Sequence, residues 1–161
     1  MTLWRINMVN NKLVPAQKTF IRDGRSPIPK KFVTSKVMSG NKGKDTKPEL
    51  LFRKALWAEG VKGYRLHWKK VSGRPDIAFP QKKVAIFING CFWHRCPNCK
   101  LPMPQSNTFF WKEKFDKNIE RDKRKIKLLE EAAWNIVIVW ECELKNSLKD
   151  CINKVKILIN N

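Results

Sequence analysis

The sequence has few acidic residues, only two histidines and no long apolar segment. Because no run of 18 or more residues is apolar, no membrane span is predicted. The first residues lack an apolar segment followed by small residues, so we expect no secretory signal and a cytoplasmic protein. Five cysteines are an odd number, which argues against a disulfide framework and favours a reducing compartment. The length of 161 residues and 42% hydrophobic content predict one globular domain with room for a short appendage.

The shortage of acidic residues leaves a large positive charge. Lys and Arg number 34 against 14 Asp and Glu, so the net charge is +20 and the isoelectric point is about 10.1. A charge this large repels itself in a compact domain and does not favour folding. It is typical of proteins that bind polyanions, most often nucleic acids, and the alternative is a solvated basic surface or bulk binding of the ribosomal kind.

The N-terminal part of the chain carries a large share of this charge. Residues 1–45 contain ten Lys or Arg and two Asp, a net charge of +8, and show little apolar periodicity. Pro27 and Pro29 disfavour a helix there, because proline and the residue before it avoid helical backbone. This composition fits either a disordered tail or an arm that lies along DNA and becomes ordered on binding.

Hydrophobic periodicity predicts three helices and four strands after this region. Thr46, Pro48 and Glu49 form a capping-box pattern that starts the first helix, which we expect to end at Gly60. The other predicted helices cover residues 108–133 and 144–159, and the predicted strands cover residues 64–68, 76–79, 84–88 and 135–140. This order of elements favours an α/β fold with a central sheet and helices on both faces.

Three of the cysteines lie close together in the sequence. They are Cys91, Cys96 and Cys99, which fall within nine positions. Such spacing is typical of a tight zinc loop, and structural zinc takes four protein ligands, so a fourth must come from elsewhere. We favour Cys142, which follows a buried strand, over His94 and over Cys151, which lies on the apolar side of the last helix. The alternative is a set of free thiols in a reducing compartment.

A few carboxylates and histidines are candidates for phosphodiester chemistry. Asp76 begins a buried strand, where a carboxylate suits Mg²⁺, although it could simply cap the preceding turn. Asp122 falls in the apolar stripe of its helix and needs a partner, either a nearby arginine or His94. A carboxylate that holds an imidazole in one tautomer serves a general base. His67 we expect to be structural or to face a phosphate, and Glu49 is either the capping-box acid or a further acid of the site.

Aromatic residues surround the predicted zinc loop. Phe92 and Trp93 stand inside the loop, and three more aromatic residues occupy positions 109–111. Apolar side chains that push between base pairs unstack them and open the duplex. Phe92 and Trp93 are therefore candidates for a wedge of this kind.

Several short motifs occur in a fixed order along the chain. Among them are Gly73-Arg74-Pro75-Asp76, Gly90-Cys91-Phe92-Trp93-His94, Asn118-Ile119-Glu120-Arg121-Asp122 and Val139-Trp140-Glu141-Cys142. With these motifs the chain resembles the very-short-patch-repair (Vsr) DNA mismatch endonucleases over about residues 33–145. The resemblance divides the chain into a basic N-terminal arm of residues 1–32 and a Vsr-like endonuclease domain of residues 33–161.

The resemblance implies a restriction-endonuclease-like core, a mixed central sheet flanked by helices, with a structural zinc loop. It implies a DNA repair enzyme that hydrolyses one strand of double-stranded DNA with catalytic Mg²⁺, 5′ to the thymine of a T:G mismatch. Such mismatches arise when 5-methylcytosine deaminates, so the family usually accompanies a cytosine DNA methyltransferase. We therefore expect a monomer that acts in the cytoplasm, in association with the nucleoid, and has no membrane partner.

The family's functional residues can be carried over where the motifs match. Asp76 resembles the carboxylate that binds Mg²⁺ together with the backbone carbonyl of Ile88, and Glu49 resembles the acid that supports the metal-bound waters. His94 resembles the catalytic base, with Asp122 orienting it. The implied zinc ligands are Cys91, Cys96, Cys99 and Cys142, and the implied DNA-inserting residues are Phe92, Trp93, Trp111 and, from the opposite groove, Met38.

One position departs from the family pattern. Asn89 stands where the best-known members have histidine and many others have an acid. An amide is neutral and cannot act as a base or as a charged metal ligand, so this change bears on the metal stoichiometry and on the rate. Two alternatives stay open: a sequence-specific restriction or intron-associated endonuclease of the same fold, and a zinc-stabilised DNA-binding protein without activity.

Overall fold

The structure is a computed structural model that describes residues 41–160 in full. Of residues 1–40 it describes only the backbone of two short strands, β1 (Asn7–Val9) and β2 (Lys12–Val14), which pair antiparallel. The rest of the predicted arm and the predicted DNA contact Met38 lie outside the described residues.

Four further strands form one mixed sheet. In their spatial order they are β3 (Arg65–Leu66), β4 (Ile77–Phe79), β5 (Val84–Asn89) and β6 (Asn135–Trp140). The neighbours β3–β4 and β4–β5 are antiparallel, whereas β5 and β6 are parallel with Ile86 opposite Val137. Because β4 runs against β5, the residue that precedes β4 lies beside the end of β5, and this places two candidate site positions together.

Three helices cover the two faces of this sheet. They are α1 (Lys47–Ala58), α2 (Thr108–Glu131) and α3 (Glu141–Asn160). Apolar residues of α1 and α3 share one core cluster with the sheet, whereas Leu129 of α2 packs with Ala85 and Phe87 in a second cluster. The prediction of a mixed α/β fold with helices on both faces is confirmed. No helix within residues 41–160 is both long enough and apolar enough to cross a membrane.

The strand β5 shows why its sequence is an unbroken apolar run. Val84, Ile86 and Ile88 point into the cluster with α1 and α3, and the intervening Ala85 and Phe87 point to the α2 side. All five residues are buried, because both faces of the sheet are covered. The strand can therefore hold its carboxyl end, where the candidate site begins, in a rigid position.

The structure corrects two predicted boundaries. The last helical segment begins at Glu141 rather than Leu144, because β6 passes directly into α3 and Glu143 accepts a hydrogen bond from the backbone N–H of Trp140 at 2.8 Å. It is kinked at Ser147, whose φ of −147° is not helical. The predicted strand over residues 64–68 is limited to Arg65–Leu66, because His67 adopts a φ of 45°, which extended backbone excludes.

Candidate active site and metal centre

A cavity of about 1020 Å³ opens at the carboxyl end of β5. The N-terminus of α1, the residue before β4, the loop after β5 and the middle of α2 form its walls. The structure brings all the predicted catalytic and magnesium-binding residues to this cavity, together with one predicted DNA contact: Glu49, Asp76, Ile88, Trp93, His94 and Asp122 all line it. Residues from five separate segments thus meet at one place, although they span more than seventy positions in the sequence.

Asp76 is held by the neighbouring strand. Its Oδ2 accepts a hydrogen bond from the backbone N–H of Ile88 at 2.8 Å, and its Oδ1 lies 3.9 Å from Nδ1 of His67. Burial raises the pKa of Asp76 and the Glu49 carboxylate adds to this, whereas the Ile88 N–H, His67 and Lys125 oppose it. A buried carboxylate whose ionised form is unfavourable gains from a bound cation, and carboxylate and carbonyl oxygens are the ligands Mg²⁺ prefers. The donor set around Asp76 therefore fits Mg²⁺.

His94 and Asp122 form a close pair. Nδ1 of His94 lies 2.5 Å from Oδ2 of Asp122, and both side chains are about four-fifths buried, with exposed fractions of 23% and 20%. An ionised carboxylate only accepts, so Nδ1 carries the proton and Nε2 keeps its lone pair. Arg121 and Lys125 also approach the other carboxylate oxygen of Asp122, each at 3.7 Å. The pair has the arrangement that a general base requires.

Asp122 links this pair to the stability of the fold. Burial alone would raise the pKa of Asp122, but the hydrogen bond from His94 and the cations Lys125 and Arg121 outweigh it and lower that pKa from 3.8. An acid with a lowered pKa stabilises the folded state above its ordinary pKa, and this stabilisation is lost as the pH falls through the lowered value.

We expect Asp122→Asn to melt a few degrees below the wild type near neutral pH, and the difference to shrink as the pH falls below about 3.8. The exposed carboxylate Asp116 on the same helix provides the matched control, Asp116→Asn. Melting curves recorded by circular dichroism over this pH range are the measurement. A difference that stays constant down to the lowest pH would show that the charge of Asp122 contributes nothing.

Glu49 is almost fully buried, with 4% of its surface exposed. Its Oε1 accepts hydrogen bonds from the hydroxyl of Thr46 at 2.8 Å and from the Thr46 backbone N–H at 3.4 Å. Its Oε2 accepts from the backbone N–H of Asp45 at 3.0 Å and from Arg53 at 2.8 Å. The capping box predicted for α1 is therefore formed, and the role of Glu49 toward metal-bound waters stays a prediction.

Four thiols lie close together, three from the loop that follows β5 and one from the start of α3. The ligand atoms of Cys91, Cys96, Cys99 and Cys142 all lie within 4.8 Å of one another. Cys151 is instead buried in the core cluster between the sheet, α1 and α3. Four thiolates are the donor set of structural zinc sites, so these residues could hold Zn²⁺.

The protonation of these thiols reflects their crowding. Burial raises the pKa of the Cys91 thiol to about 12. Burial acts in the same direction at Cys96, but the backbone N–H groups of Cys99 and Asn98 outweigh it and lower the pKa of Cys96. Metal ligation requires thiolates. A divalent cation bound by these cysteines would therefore displace the protons that their thiols carry.

The loop between Cys91 and Cys96 carries Phe92, Trp93 and His94. Phe92 packs edge-on against Trp93 and Phe115, with ring centroids 5.2 Å apart in each pair. Trp111 lies 5.9 Å from Trp93 and joins the same aromatic cluster. Asn118 of α2 donates a hydrogen bond to the carbonyl of Trp93 at 3.0 Å, which ties the loop to the helix that holds Asp122.

The sequence patterns did not single out Arg53, and they predicted only a structural or phosphate-facing role for His67. Both side chains border the cavity wall formed by Glu49 and Asp76, and they contact each other with Arg53 Nη2 and His67 Nε2 3.1 Å apart. No local pattern could have paired them, because fourteen positions and the end of α1 separate them. His67 adopts a φ of 45° here, in the left-handed region.

Comparison with known proteins points to one family. The family model described as DNA mismatch endonuclease Vsr matches residues 28–100. The type II nicking enzyme V.NmeAIP of Neisseria meningitidis serogroup A is 46% identical over 118 residues, covering 71% of this chain and 84% of the relative. The DNA mismatch endonuclease Vsr of Escherichia coli is 37% identical over 119 residues, covering 74% and 76%. The chain therefore belongs to the Vsr family of DNA mismatch endonucleases and nicking enzymes, and it is a DNA endonuclease.

Proposed function

We propose that this endonuclease nicks one strand of double-stranded DNA 5′ to the thymine of a T:G mismatch, with Mg²⁺ as catalytic ion, on a restriction-endonuclease-like core. The observation that carries the proposal is the His94–Asp122 pair, which faces the same cavity as Asp76. A base and a carboxylate suited to a hard cation are the two requirements of metal-assisted phosphodiester hydrolysis. The mixed sheet between helices supports the proposed core.

Each site residue has a role in this reaction. Asp76 and the backbone carbonyl of Ile88 would hold Mg²⁺, which, when bound, offsets the charge that develops on the phosphate. His94 accepts a proton from the attacking water at Nε2, because Nδ1 is committed to Asp122. Asp122 keeps the ring in this tautomer and stabilises the imidazolium that forms. Glu49 supports the metal-bound waters from the wall of the cavity.

The lesion is recognised by the aromatic residues beside the base. Phe92, Trp93 and Trp111 form a packed cluster next to His94, so a wedge inserted at the mismatch brings the phosphate to the cavity. Met38 would enter from the opposite groove. T:G mismatches follow from deamination of 5-methylcytosine, so we propose a monomeric repair enzyme of the nucleoid that works beside a cytosine DNA methyltransferase.

A nicking assay tests the proposal. Labelled duplexes that differ only at one pair, T:G or C:G, are incubated with the zinc-loaded full chain in Mg²⁺ or in chelator, over a panel of flanking sequences. We expect one cut, 5′ to the thymine, only in T:G duplexes and only with Mg²⁺. The mismatch function is wrong if no T:G duplex is cut in Mg²⁺ or Mn²⁺, whatever its flanks.

A second candidate function is sequence-specific nicking of intact DNA. The relative from Neisseria meningitidis serogroup A and a 36% identical relative from Xanthomonas oryzae carry the name type II nicking enzyme. Cutting of matched C:G duplexes at one sequence, at the rate seen with T:G, would support this function. Binding without cutting would instead indicate an inactive DNA-binding protein, the outcome that the neutral Asn89 in the cavity wall would favour.

We also propose that residues 1–32 form a basic arm that lies along DNA. Each phosphate contact that a protein makes contributes about 0.9 to the slope of log affinity against log salt. We expect deletion of residues 1–32 to reduce this slope, measured by fluorescence anisotropy on a matched duplex at several salt concentrations. A slope equal to that of the full chain would show that the arm is a passive tail.

A further inference from the structure

We propose that His67 is a positioning residue for Asp76, and that Arg53 sets the tautomer in which His67 works. The inference deepens the proposed function, because it concerns how the chain prepares its cation-binding carboxylate. It depends on a chain of three side chains, Arg53, His67 and Asp76, that leads from α1 to the amino end of β4.

Arg53 and His67 contact each other through their side chains. Nη2 of Arg53 lies 3.1 Å from Nε2 of His67. Oxygens of Asp45 and Glu49 lie farther from Nε2, at 3.6 Å and 3.7 Å. A guanidinium only donates hydrogen bonds, so in the shorter contact with Arg53 Nε2 of His67 is the acceptor and carries no proton. In the neutral ring the proton then resides on Nδ1, which is the nitrogen that faces Oδ1 of Asp76.

Arg53 is itself immobilised by two carboxylates. Its Nη1 contacts Asp45 at 2.5 Å and its Nη2 contacts Glu49 at 2.8 Å, and only 11% of its side-chain surface is exposed. Nε of Arg53 is buried, and within the described residues it has no hydrogen-bond partner. Asp45, Glu49 and His67 could by composition hold a metal, but the guanidinium already supplies the cation that contacts all three.

The backbone of His67 is also joined to Asp76. Its N–H donates to the carbonyl of Asp76 at 3.1 Å, so a backbone hydrogen bond joins the two residues. Its φ of 45° lies in the left-handed region, which is uncommon for a residue with a Cβ. Such strain is retained where the surrounding structure requires the conformation. In this conformation Nδ1 of the ring lies 3.9 Å from Oδ1 of Asp76.

The two carboxylate oxygens of Asp76 therefore have different neighbours. Oδ2 is occupied by the Ile88 N–H, and Oδ1 faces the Nδ1–H of His67 at 3.9 Å. That distance exceeds a direct hydrogen bond, but a shift of about 0.8 Å or one bridging water closes it. A hydrogen bond formed in this way would restrict rotation of the carboxylate and leave the second lone pair of Oδ1 free for a cation in the cavity. Partners of this kind typically change metal affinity or activity by about 10–100-fold.

The tautomer is measured directly on the metal-free full chain. Long-range proton–nitrogen-15 spectra distinguish protonated from bare ring nitrogens, and the chain has only two histidines, so His94→Gln assigns the signals. We expect Nδ1 of His67 to be protonated and Nε2 bare, and Arg53→Met to abolish this preference. A protonated Nε2 in the wild type would overturn the proposal without any bearing on whether the enzyme nicks T:G duplexes.

The effect on the carboxylate is measured by cation binding. Mn²⁺ affinity is determined by electron paramagnetic resonance on zinc-loaded protein without DNA, for the wild type, His67→Leu and His67→Asn. We expect His67→Leu to weaken Mn²⁺ binding and to raise the Mg²⁺ needed for half-maximal nicking by about 10–100-fold, with zinc content and KM for DNA unchanged. His67→Asn, whose amide N–H lies near the position of Nδ1, should recover most of the loss. Equal Mn²⁺ affinity in all three proteins overturns the proposal, whereas absence of nicking by the wild type would count against the proposed function alone.

Discussion

Replacement of His94 by alanine is expected to slow nicking of T:G duplexes by about 10²–10⁴-fold while DNA affinity stays the same. In the proposed mechanism the imidazole acts on the barrier, because its free Nε2 takes the proton of the attacking water while Asp122 holds Nδ1 at 2.5 Å. Its removal takes away no positive charge from the neutral ring, so phosphate binding is retained. Single-turnover nicking and fluorescence anisotropy on the same duplex separate the two effects.

Two further variants make this result specific. Asp76→Asn should also abolish nicking, but through loss of cation binding, so excess Mn²⁺ should not restore it and DNA affinity should be equal or higher. Asp116→Asn removes an exposed carboxylate from α2 away from the cavity and should nick like the wild type. If His94→Ala nicks as fast as the wild type, the family membership stands and the assignment of the base is wrong.

If the four thiols hold structural zinc, replacement of Cys142 by serine is expected to prevent zinc binding and to lower thermal stability by many degrees. Cys142 connects the start of α3 to the loop thiols, and its Sγ lies 3.8 Å from Sγ of Cys96. Structural zinc contributes about 10–16 kcal/mol of apparent binding free energy in zinc-finger peptides, and that energy is coupled to folding. Because the same loop carries Trp93 and His94, the variant should also lose nicking.

The chain offers a matched control for this experiment. Cys151 also belongs to α3 but is buried in the apolar core, outside the thiol cluster. Cys151→Ser should therefore keep one zinc per chain by elemental analysis, with a small loss of stability from burying a hydroxyl group. A Cys142→Ser protein with full zinc content and wild-type melting temperature would contradict the four-cysteine assignment, as would a wild type purified without chelator that holds no zinc.

Much of the secondary structure could be predicted because its determinants are local. The strand over residues 135–140 has the predicted bounds, since an unbroken apolar run flanked by turns is typical of a strand covered on both faces. The capping box at Thr46 and Glu49 marks the start of α1 within the span of a single turn. The spacing of the loop cysteines likewise predicted that their thiols lie together, because the three fall within nine positions, and the zinc itself stays a prediction.

The tertiary structure decided which distant groups meet. The parallel pairing of β5 with β6 brings the thiol of Cys142 to a loop 46 positions earlier at Cys96, and no local pattern encodes such a pairing. The cavity forms because β4 runs against β5, which places Asp76 beside Ile88.

The sequence by itself determined the family, the basic character and most elements, because these depend on residue type, order and short-range periodicity. Only the tertiary structure decided that Asp122 contacts His94 and that Arg53 contacts His67, because both pairs join elements whose relative position follows from packing against the sheet. The left-handed backbone of His67 shows the reason most clearly. Its φ of 45° accompanies a backbone hydrogen bond to the distant residue Asp76, whereas the local sequence pattern predicted that it lies in a strand.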